Sequence, residues 1–182
     1  MHVSLDGLVA GPNGELNWVH IDQPIFDYVL TRTKAAEIAL YGRKTYEIME
    51  AYWPTAAQKP NATKYDHEFS LWYNQVAKIV LSNTLKGSVL PHTTIISDQS
   101  TGTIEELKQS GDGEIIIFGS PSTTQSLLEA RLVDDFWLFI NPVILGIGMP
   151  FFKPGGIFTR LRLRHEVAFD SGVVCLHYER RP

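Results

Sequence analysis

Residues 115–135 read IIIFGSPSTTQSLLEARLVDD, and this stretch decides the fold. The four consecutive apolar residues at its start are typical of a strand that is covered on both faces, as in a parallel sheet. Gly119 allows a tight turn, Ser120 is a favourable N-cap, and Pro121 fits the first position of a helix. Three leucines in residues 127–132 then give that helix an apolar side. The stretch therefore predicts a strand, a glycine turn and a helix.

This arrangement is also a candidate anion site. A strand, a glycine turn and a helix start leave backbone N–H groups pointing outward, and such groups bind phosphate well. An ordinary strand-to-helix connection with nothing bound has the same local sequence. The stretch alone leaves both interpretations open.

A second unit of the same kind lies upstream. Residues 37–41 read EIALY, a short apolar strand, and residues 42–45 read GRKT and lead into a helix. Two cations at a helix start oppose the helix dipole by about 0.3–1 kcal/mol, and a bound anion offsets that cost. The segment is not a Walker A loop, because Arg43 precedes the lysine and the required glycine spacing is absent.

Further strands and turns complete the pattern. Residues 78–82 read KIVLS and end in small polar residues, which face the ligand crevice in a doubly wound sheet. A capping box of Thr103 and Glu106 predicts a helix over residues 103–110. Residues 136–145 form a long strand in which Pro142 indicates an edge, a bend or an end. The last segments predict a hairpin around a Ser-Gly turn.

Repeated strand–helix units followed by strands alone predict an α/β fold with three layers. We expect a mostly parallel central sheet, helices on both of its faces, and an antiparallel C-terminal hairpin. The chain has 182 residues and no linker rich in glycine or proline, so we expect a single domain over residues 1–182.

Composition limits the function classes. The net charge is −4 and no basic block is present, which argues against nucleic-acid binding. No apolar run approaches the roughly 18 residues of a membrane span, and no signal peptide is visible. Cys175 is the only cysteine, so a reduced, cytoplasmic setting is expected. The six histidines show no metal-ligating spacing, and we expect no metal site.

Taken in order, the motifs resemble the dihydrofolate reductase-like superfamily. The nearest branch is the one related to the C-terminal reductase domain of the bacterial bifunctional riboflavin-biosynthesis deaminase/reductase. The resemblance covers nearly the whole chain. The segments that carry it are residues 4–7 (SLDG), 42–47 (GRKTYE), 78–85 (KIVLSNTL), 115–120 (IIIFGS), 132–135 (LVDD) and 142–148 (PVILGIG).

The resemblance implies a pocket for NADPH. In the family, the turn that matches residues 42–45 takes the pyrophosphate, and the turn that matches residues 82–84 lies by the adenosine ribose and its 2′-phosphate. The turn at residues 119–120 covers the pyrophosphate from the other side, and the loop at residues 6–14 borders the nicotinamide. The implied cofactor-binding residues are Gly42, Arg43, Lys44, Thr45, Ser82, Asn83, Thr84, Gly119, Ser120 and Thr123.

Three residues near the implied pocket allow more than one interpretation. The family usually has two glycines at the central turn, and here the second is Ser120, which either crowds the diphosphate or donates its hydroxyl to it. Asp6 in the N-terminal loop and Asp27 on the first helix are candidate catalytic residues. For Asp27, the interpretation that we favour is a solvated carboxylate on a helix surface.

Together these features predict an NADPH-dependent oxidoreductase that transfers a hydride to a small heterocyclic or carbonyl substrate. It would resemble the pyrimidine reductase of the riboflavin pathway. The alternative is a non-catalytic, dimeric nucleotide-binding module that kept the fold and lost the chemistry. A homodimer is expected from the family, with residues 65–73 and 136–140 as candidates for its interface. The aromatic residues of the first stretch are alternatively pocket lining or plain core.

Overall fold

The computed structural model describes residues 1–87, 89–97, 100–111 and 113–181. The chain forms two units: unit 1 comprises Met1–Asp22 and Thr124–Pro182, and unit 2 comprises Gln23–Thr123. The expectation of one domain over residues 1–182 stays a prediction.

In chain order the elements are β1 (His2–Ser4), β2 (Leu8–Ala10), α1 (Gln23–Thr33), β3 (Ala36–Gly42), α2 (Arg43–Tyr52), a short 3-10 helix (Trp53–Gln58), α3 (Lys64–Gln75), β4 (Ala77–Leu81), β5 (Thr93–Ile96), α4 (Ser100–Ser110), β6 (Glu114–Ile117), α5 (Pro121–Glu129), β7 (Asp135–Asn141), β8 (Met149–Pro150), β9 (Leu161–Ala168) and β10 (Val174–Arg180).

Unit 2 is built on a four-stranded sheet in which all neighbours are parallel. The strand order is β5-β4-β3-β6, so β3 has a partner on each side. The apolar run before Gly119 predicts a strand covered on both faces, but β6 is only partly buried. The reason is its position at the sheet edge, where it pairs with β3 on one side.

The interior of unit 2 is rich in aromatic side chains. Tyr65, Phe69 and Tyr73 of α3 are 4%, 2% and 1% exposed, and they pack in one cluster with Tyr41 of β3. Thr63 and Asp66 form a capping box that fixes the start of α3. These α3 aromatic residues are therefore core, the plainest of the three interpretations of residues 65–73.

Unit 1 contains a four-stranded sheet of order β1-β7-β10-β9 and a two-stranded sheet of β2 and β8. β1 is parallel to β7, while β7, β10 and β9 are antiparallel neighbours. Gly172 lies at φ 84° and its N–H donates to the carbonyl of Phe169, which forms the predicted hairpin turn. β7 ends at Asn141, so Pro142 marks the end of the strand and not its edge.

The parallel sheet with its helices and the antiparallel hairpin confirm the predicted α/β fold class. The predicted helix start at Thr103 is wrong, because α4 begins three residues earlier, at Ser100. The Thr-x-x-Glu pattern marks a start only where the preceding chain leaves the helix, and here Thr101 and Gly102 continue it. Within the described residues, no helix has the length and apolar character needed to cross a membrane.

Candidate functional site

The candidate site lies at the carboxyl ends of three neighbouring strands of unit 2. Gly42 at the end of β3 pairs with Leu81 at the end of β4, and Leu40 pairs with Ile117 at the end of β6. The turns that follow these parallel strands therefore lie side by side at one edge of the sheet. The structure thus brings together all three turns that the sequence predicts for the cofactor.

The turns after β3 and β6 are joined by two hydrogen bonds. The N–H of Gly42 donates to the hydroxyl of Ser120 at 2.7 Å, and the N–H of Ser120 donates to the hydroxyl of Thr45 at 3.1 Å. A Cβ atom at position 42 would lie 2.7 Å from Oγ1 of Thr123 and 3.2 Å from Oγ of Ser120. Only glycine at position 42 allows the two turns to approach this closely.

Ser120 has a role that the sequence did not reveal. Its side chain is 5% exposed, and its hydroxyl oxygen accepts the hydrogen bond from Gly42. The residue lies at φ 52°, directly after Gly119 at φ 55°. This left-handed conformation costs a non-glycine residue about 1–2 kcal/mol. The hydroxyl is hydrogen-bonded to the turn after β3. Where the family usually has a second glycine, the Ser120 side chain therefore links the two turns, and we call this link the clamp.

Helix α2 begins at this contact without a side-chain cap. Its N-cap residue is Gly42, which forms no side-chain hydrogen bond to the helix. The first N–H groups of an α-helix have no acceptor within the helix, so those of α2 are available to an anion. Arg43 places Nη1 2.8 Å and 3.0 Å from the two carboxylate oxygens of Glu47, while Lys44 is exposed.

The turn after β4 presents two exposed polar side chains. Ser82 is buried and shapes the turn. Its hydroxyl oxygen accepts a hydrogen bond from the N–H of Leu85 at 3.2 Å and lies 3.3 Å from the hydroxyl oxygen of Thr84. Asn83 and Thr84 are exposed beside it. The polar groups of these two residues are accessible to a ligand, whereas Ser82 positions them.

Asp6 lies in unit 1 and holds a loop of that unit in place. Its carboxylate accepts hydrogen bonds from the N–H of Leu145 at 3.2 Å and of Gly146 at 2.8 Å. Hydrogen bonds from the Ser4 hydroxyl and from these backbone groups lower the pKa of Asp6 to about 2. A carboxylate with that pKa is ionised near neutral pH and does not donate a proton there. Its predicted catalytic role stays a prediction.

Asp27 lies in unit 2 on the exposed side of α1. Its carboxylate accepts a hydrogen bond from the side-chain amide of Gln23 at 2.9 Å, one helical turn earlier. This environment fits the interpretation of a solvated carboxylate on a helix surface. Among the described residues, no group of three or more His, Cys, Asp or Glu side chains has the arrangement of a metal site.

Comparison with known proteins identifies the family. The family model described as the RibD C-terminal domain matches residues 1–175. The chain belongs to this family. Two similar relatives in Bacillus subtilis (strain 168) are described as uncharacterized proteins. YyaP is 30% identical over 97% of this chain and 90% of its own length, and YwjB is 26% identical over 98% and 94%.

Solved structures share the fold of this RibD C-terminal domain. A putative riboflavin biosynthesis protein from Shewanella sp. PV-4 has a TM-score of 0.73 at 20% identity, covering 100% of this chain and 97% of its own. Dihydrofolate reductase from Enterococcus faecalis, complexed with NADP(H), has a TM-score of 0.63 at 17% identity, covering 100% and 94%. The Thermotoga maritima deaminase/reductase has a TM-score of 0.68 at 16% identity, covering 99% of this chain and 55% of its own.

Two substitutions at Ser120 test the clamp between the turns. Ser120→Ala keeps the unfavourable backbone conformation and leaves the Gly42 N–H without its acceptor, so we expect a loss of about 1–3 kcal/mol in the free energy of unfolding. Ser120→Gly also loses the acceptor but relieves the conformation, so its loss should be smaller by about 1–2 kcal/mol. Urea denaturation measures both. An alanine variant as stable as the wild type would contradict the clamp.

Substitution of Asp6 tests its role in anchoring the loop. A lowered pKa means that the carboxylate stabilises the fold above its unfolded pKa, and that this contribution is lost as the pH falls through about 2. Asp6→Asn should therefore be less stable than the wild type at neutral pH, with the difference shrinking towards pH 2. Urea denaturation over this pH range measures it, with the exposed Asp27→Asn as the control. A difference that does not vary with pH would rule out the charged anchor.

Proposed function

We propose that this chain is an NADPH-dependent reductase that transfers a hydride to a small heterocyclic or carbonyl substrate, similar to the pyrimidine reductase of the riboflavin pathway. The observation that carries the proposal is the uncapped start of α2, hydrogen-bonded to the turn before α5. Membership of the RibD C-terminal domain family supports the reductase class. The NADP(H) complex of the dihydrofolate reductase with the same fold supports the cofactor.

The donor groups of unit 2 fit a dinucleotide with phosphate groups. The first N–H groups of α2 would hold the diphosphate, and the side chains of Arg43 and Lys44 would supply positive charge next to it. The turn of Gly119 and Ser120, followed by Thr123, forms the opposite wall. Arg43 is already paired with Glu47, so Lys44 provides the larger share of charge for the ligand.

The turn after β4 supplies the second half of the cofactor site. Asn83 and Thr84 offer exposed amide and hydroxyl groups on the far side of β3 from the Ser120 turn. We assign them to the ribose 2′-phosphate, with Ser82 holding the turn in shape. This assignment predicts a preference for NADPH over NADH, because only the former carries that phosphate.

The chain's own contribution to the reaction is binding and orientation. NADPH, when bound, supplies a hydride from its nicotinamide ring. The substrate must also gain a proton, and Asp6 is ionised near neutral pH and does not deliver it. Asp27 is the remaining carboxylate of the two candidates, and its side chain is exposed to solvent. Asp27 and solvent are therefore the proposed proton source.

A nucleotide-binding module without hydride transfer is the second candidate. It is favoured by the state of the two carboxylates, since Asp6 is engaged with loop N–H groups and Asp27 is solvated. Both carboxylates are exposed, and neither is enclosed in an apolar pocket. The two candidates differ in turnover. Loss of NADPH absorbance with any member of a panel of quinones, aldehydes and pterins would support the reductase.

Calorimetric titration tests the cofactor site. We expect NADPH to bind with a dissociation constant in the micromolar range or below and NADH to bind more weakly. Lys44→Ala should weaken NADPH binding by about ten- to a hundredfold, because a charge-assisted contact contributes about 1.5–3 kcal/mol. Lys34→Ala, an exposed lysine outside the three turns, is the matched control and should bind as the wild type does. No binding of either cofactor, or an equal effect of both substitutions, would refute the site.

We also propose a homodimer in the cytoplasm. The two stretches predicted for its interface are largely occupied by the chain's own core, since Phe69 and Tyr73 of α3 and Phe136 and Phe139 of β7 are buried. Light scattering at tens of micromolar protein should give twice the chain mass of 20.5 kDa, and a monomeric mass would exclude the dimer.

A further inference from the structure

A basic cavity in unit 1 has no part in the proposed cofactor site. Its volume is about 220 Å³, and it shares no residue with the three turns of unit 2. Four arginines from three segments of the chain line it, although the chain as a whole carries a net charge of −4. These are Arg131, Arg160, Arg180 and Arg181.

The guanidinium group of Arg180 is held rigidly at this cavity. Its Nε donates to the carbonyl of Val133 at 2.8 Å, and its Nη2 donates to the carbonyl of Arg131 at 3.1 Å. Nη2 also lies 3.8 Å from a carboxylate oxygen of Asp134. A guanidinium has five N–H donors, so two such bonds fix its plane and leave further donors for a ligand. A fixed fork of this kind suits a phosphate or a carboxylate.

Arg131 occupies a position that normally belongs to glycine. It follows α5 at φ 59°, its N–H donates to the carbonyl of Leu128, and the N–H of Leu132 donates to the carbonyl of Leu127. This pattern is a Schellman motif, in which the left-handed residue is usually glycine. An arginine is strained there, although its charge favours the carboxyl end of a helix. The side chain nevertheless lines the cavity.

The other two arginines are brought to the cavity by a backbone contact. The N–H of Arg181 donates to the carbonyl of Arg160 at 2.9 Å, and the guanidinium of Arg160 lies 5.7 Å from the ring centroid of Phe158. Within the described residues, the ion pairs of arginines in unit 1 involve Arg164 and Arg180. Arg131, Arg160 and Arg181 therefore concentrate positive charge at the cavity.

An apolar cavity adjoins the basic one. Its volume is about 340 Å³, and both cavities are lined by Leu128, Ile157 and Thr159. The rings of Phe136 and Phe152, 5.9 Å apart, lie on its wall. Two charged residues, Glu129 and Lys153, also line this cavity. Their charges are opposite, so the cavity has no excess of negative charge that would repel an anion. The two cavities form one groove with an apolar end and a cationic end.

We propose that this groove binds a small organic anion, with a phosphate monoester or similar group among the arginines and an apolar body against the phenylalanine rings. The basic end neutralises the anionic group, and the apolar end excludes water from the body of the ligand. The groove shares no residue with the cofactor turns, and the proposal does not depend on the proposed reductase function.

Calorimetric titration with phenyl phosphate tests the groove. The main variant is Arg131→Gly, because glycine suits the left-handed backbone at this position and the fold is retained. We expect at least fivefold weaker binding of phenyl phosphate to this variant than to the wild type, with a thermal midpoint that is unchanged or higher. Arg162→Ala, an exposed arginine on β9 outside the groove, is the control and should bind as the wild type does.

A second variant tests the apolar end. Phe152→Ala should weaken phenyl phosphate but leave inorganic phosphate unchanged, and inorganic phosphate should bind the wild type less tightly than phenyl phosphate. Equal affinity of the wild type and Arg131→Gly, or no heat with phenyl phosphate, would overturn the proposal. Co-sedimentation with phosphatidic acid vesicles in the absence of phenyl phosphate binding would assign the arginines to a lipid surface instead, and would also overturn it.

Discussion

The hydrogen bond from the Gly42 N–H to the Ser120 hydroxyl is the contact on which the candidate site depends. It joins the turns at the ends of two neighbouring parallel strands, β3 and β6, and it requires a residue without a Cβ atom at position 42. It thereby fixes the first N–H groups of α2 beside the turn that precedes α5. Because α2 has no side-chain cap and carries cations in its first turn, its first N–H groups are donors suited to an anion.

Much of this site could be predicted from the sequence, because its parts are local. The GRKT turn, the polar residues after KIVLS and the glycine turn after the apolar run each follow a strand, and parallel pairing then places them at one edge. What could not be predicted depends on contacts distant in sequence. The commitment of the Ser120 hydroxyl to Gly42 follows from pairing over 78 positions, and the anchoring of Gly146 by Asp6 follows from contact over 140 positions. Neither leaves a local pattern.

The distribution of charge likewise depends on contacts between residues that are distant in sequence. The net charge of −4 predicts no surface that binds long polyanions, but it conceals a cavity lined by four arginines. These arginines come from the end of α5, the loop before β9 and the end of β10, and only the fold brings them together. Arg131 shows how such a residue is recognised once the backbone is known, since its left-handed conformation is one that glycine would adopt at lower cost.

The most direct test of the central claim is a residue-by-residue map of NADP⁺ binding by nitrogen–proton correlation spectra. The Gly42–Ser120 contact predicts that the largest changes in amide chemical shift fall on residues 43–45 and 119–123, with a second group at residues 83–84. The N–H signal of Gly42 should change little, because its hydrogen bond to Ser120 persists. Saturable binding with the largest changes elsewhere, and none in these turns, would contradict the account.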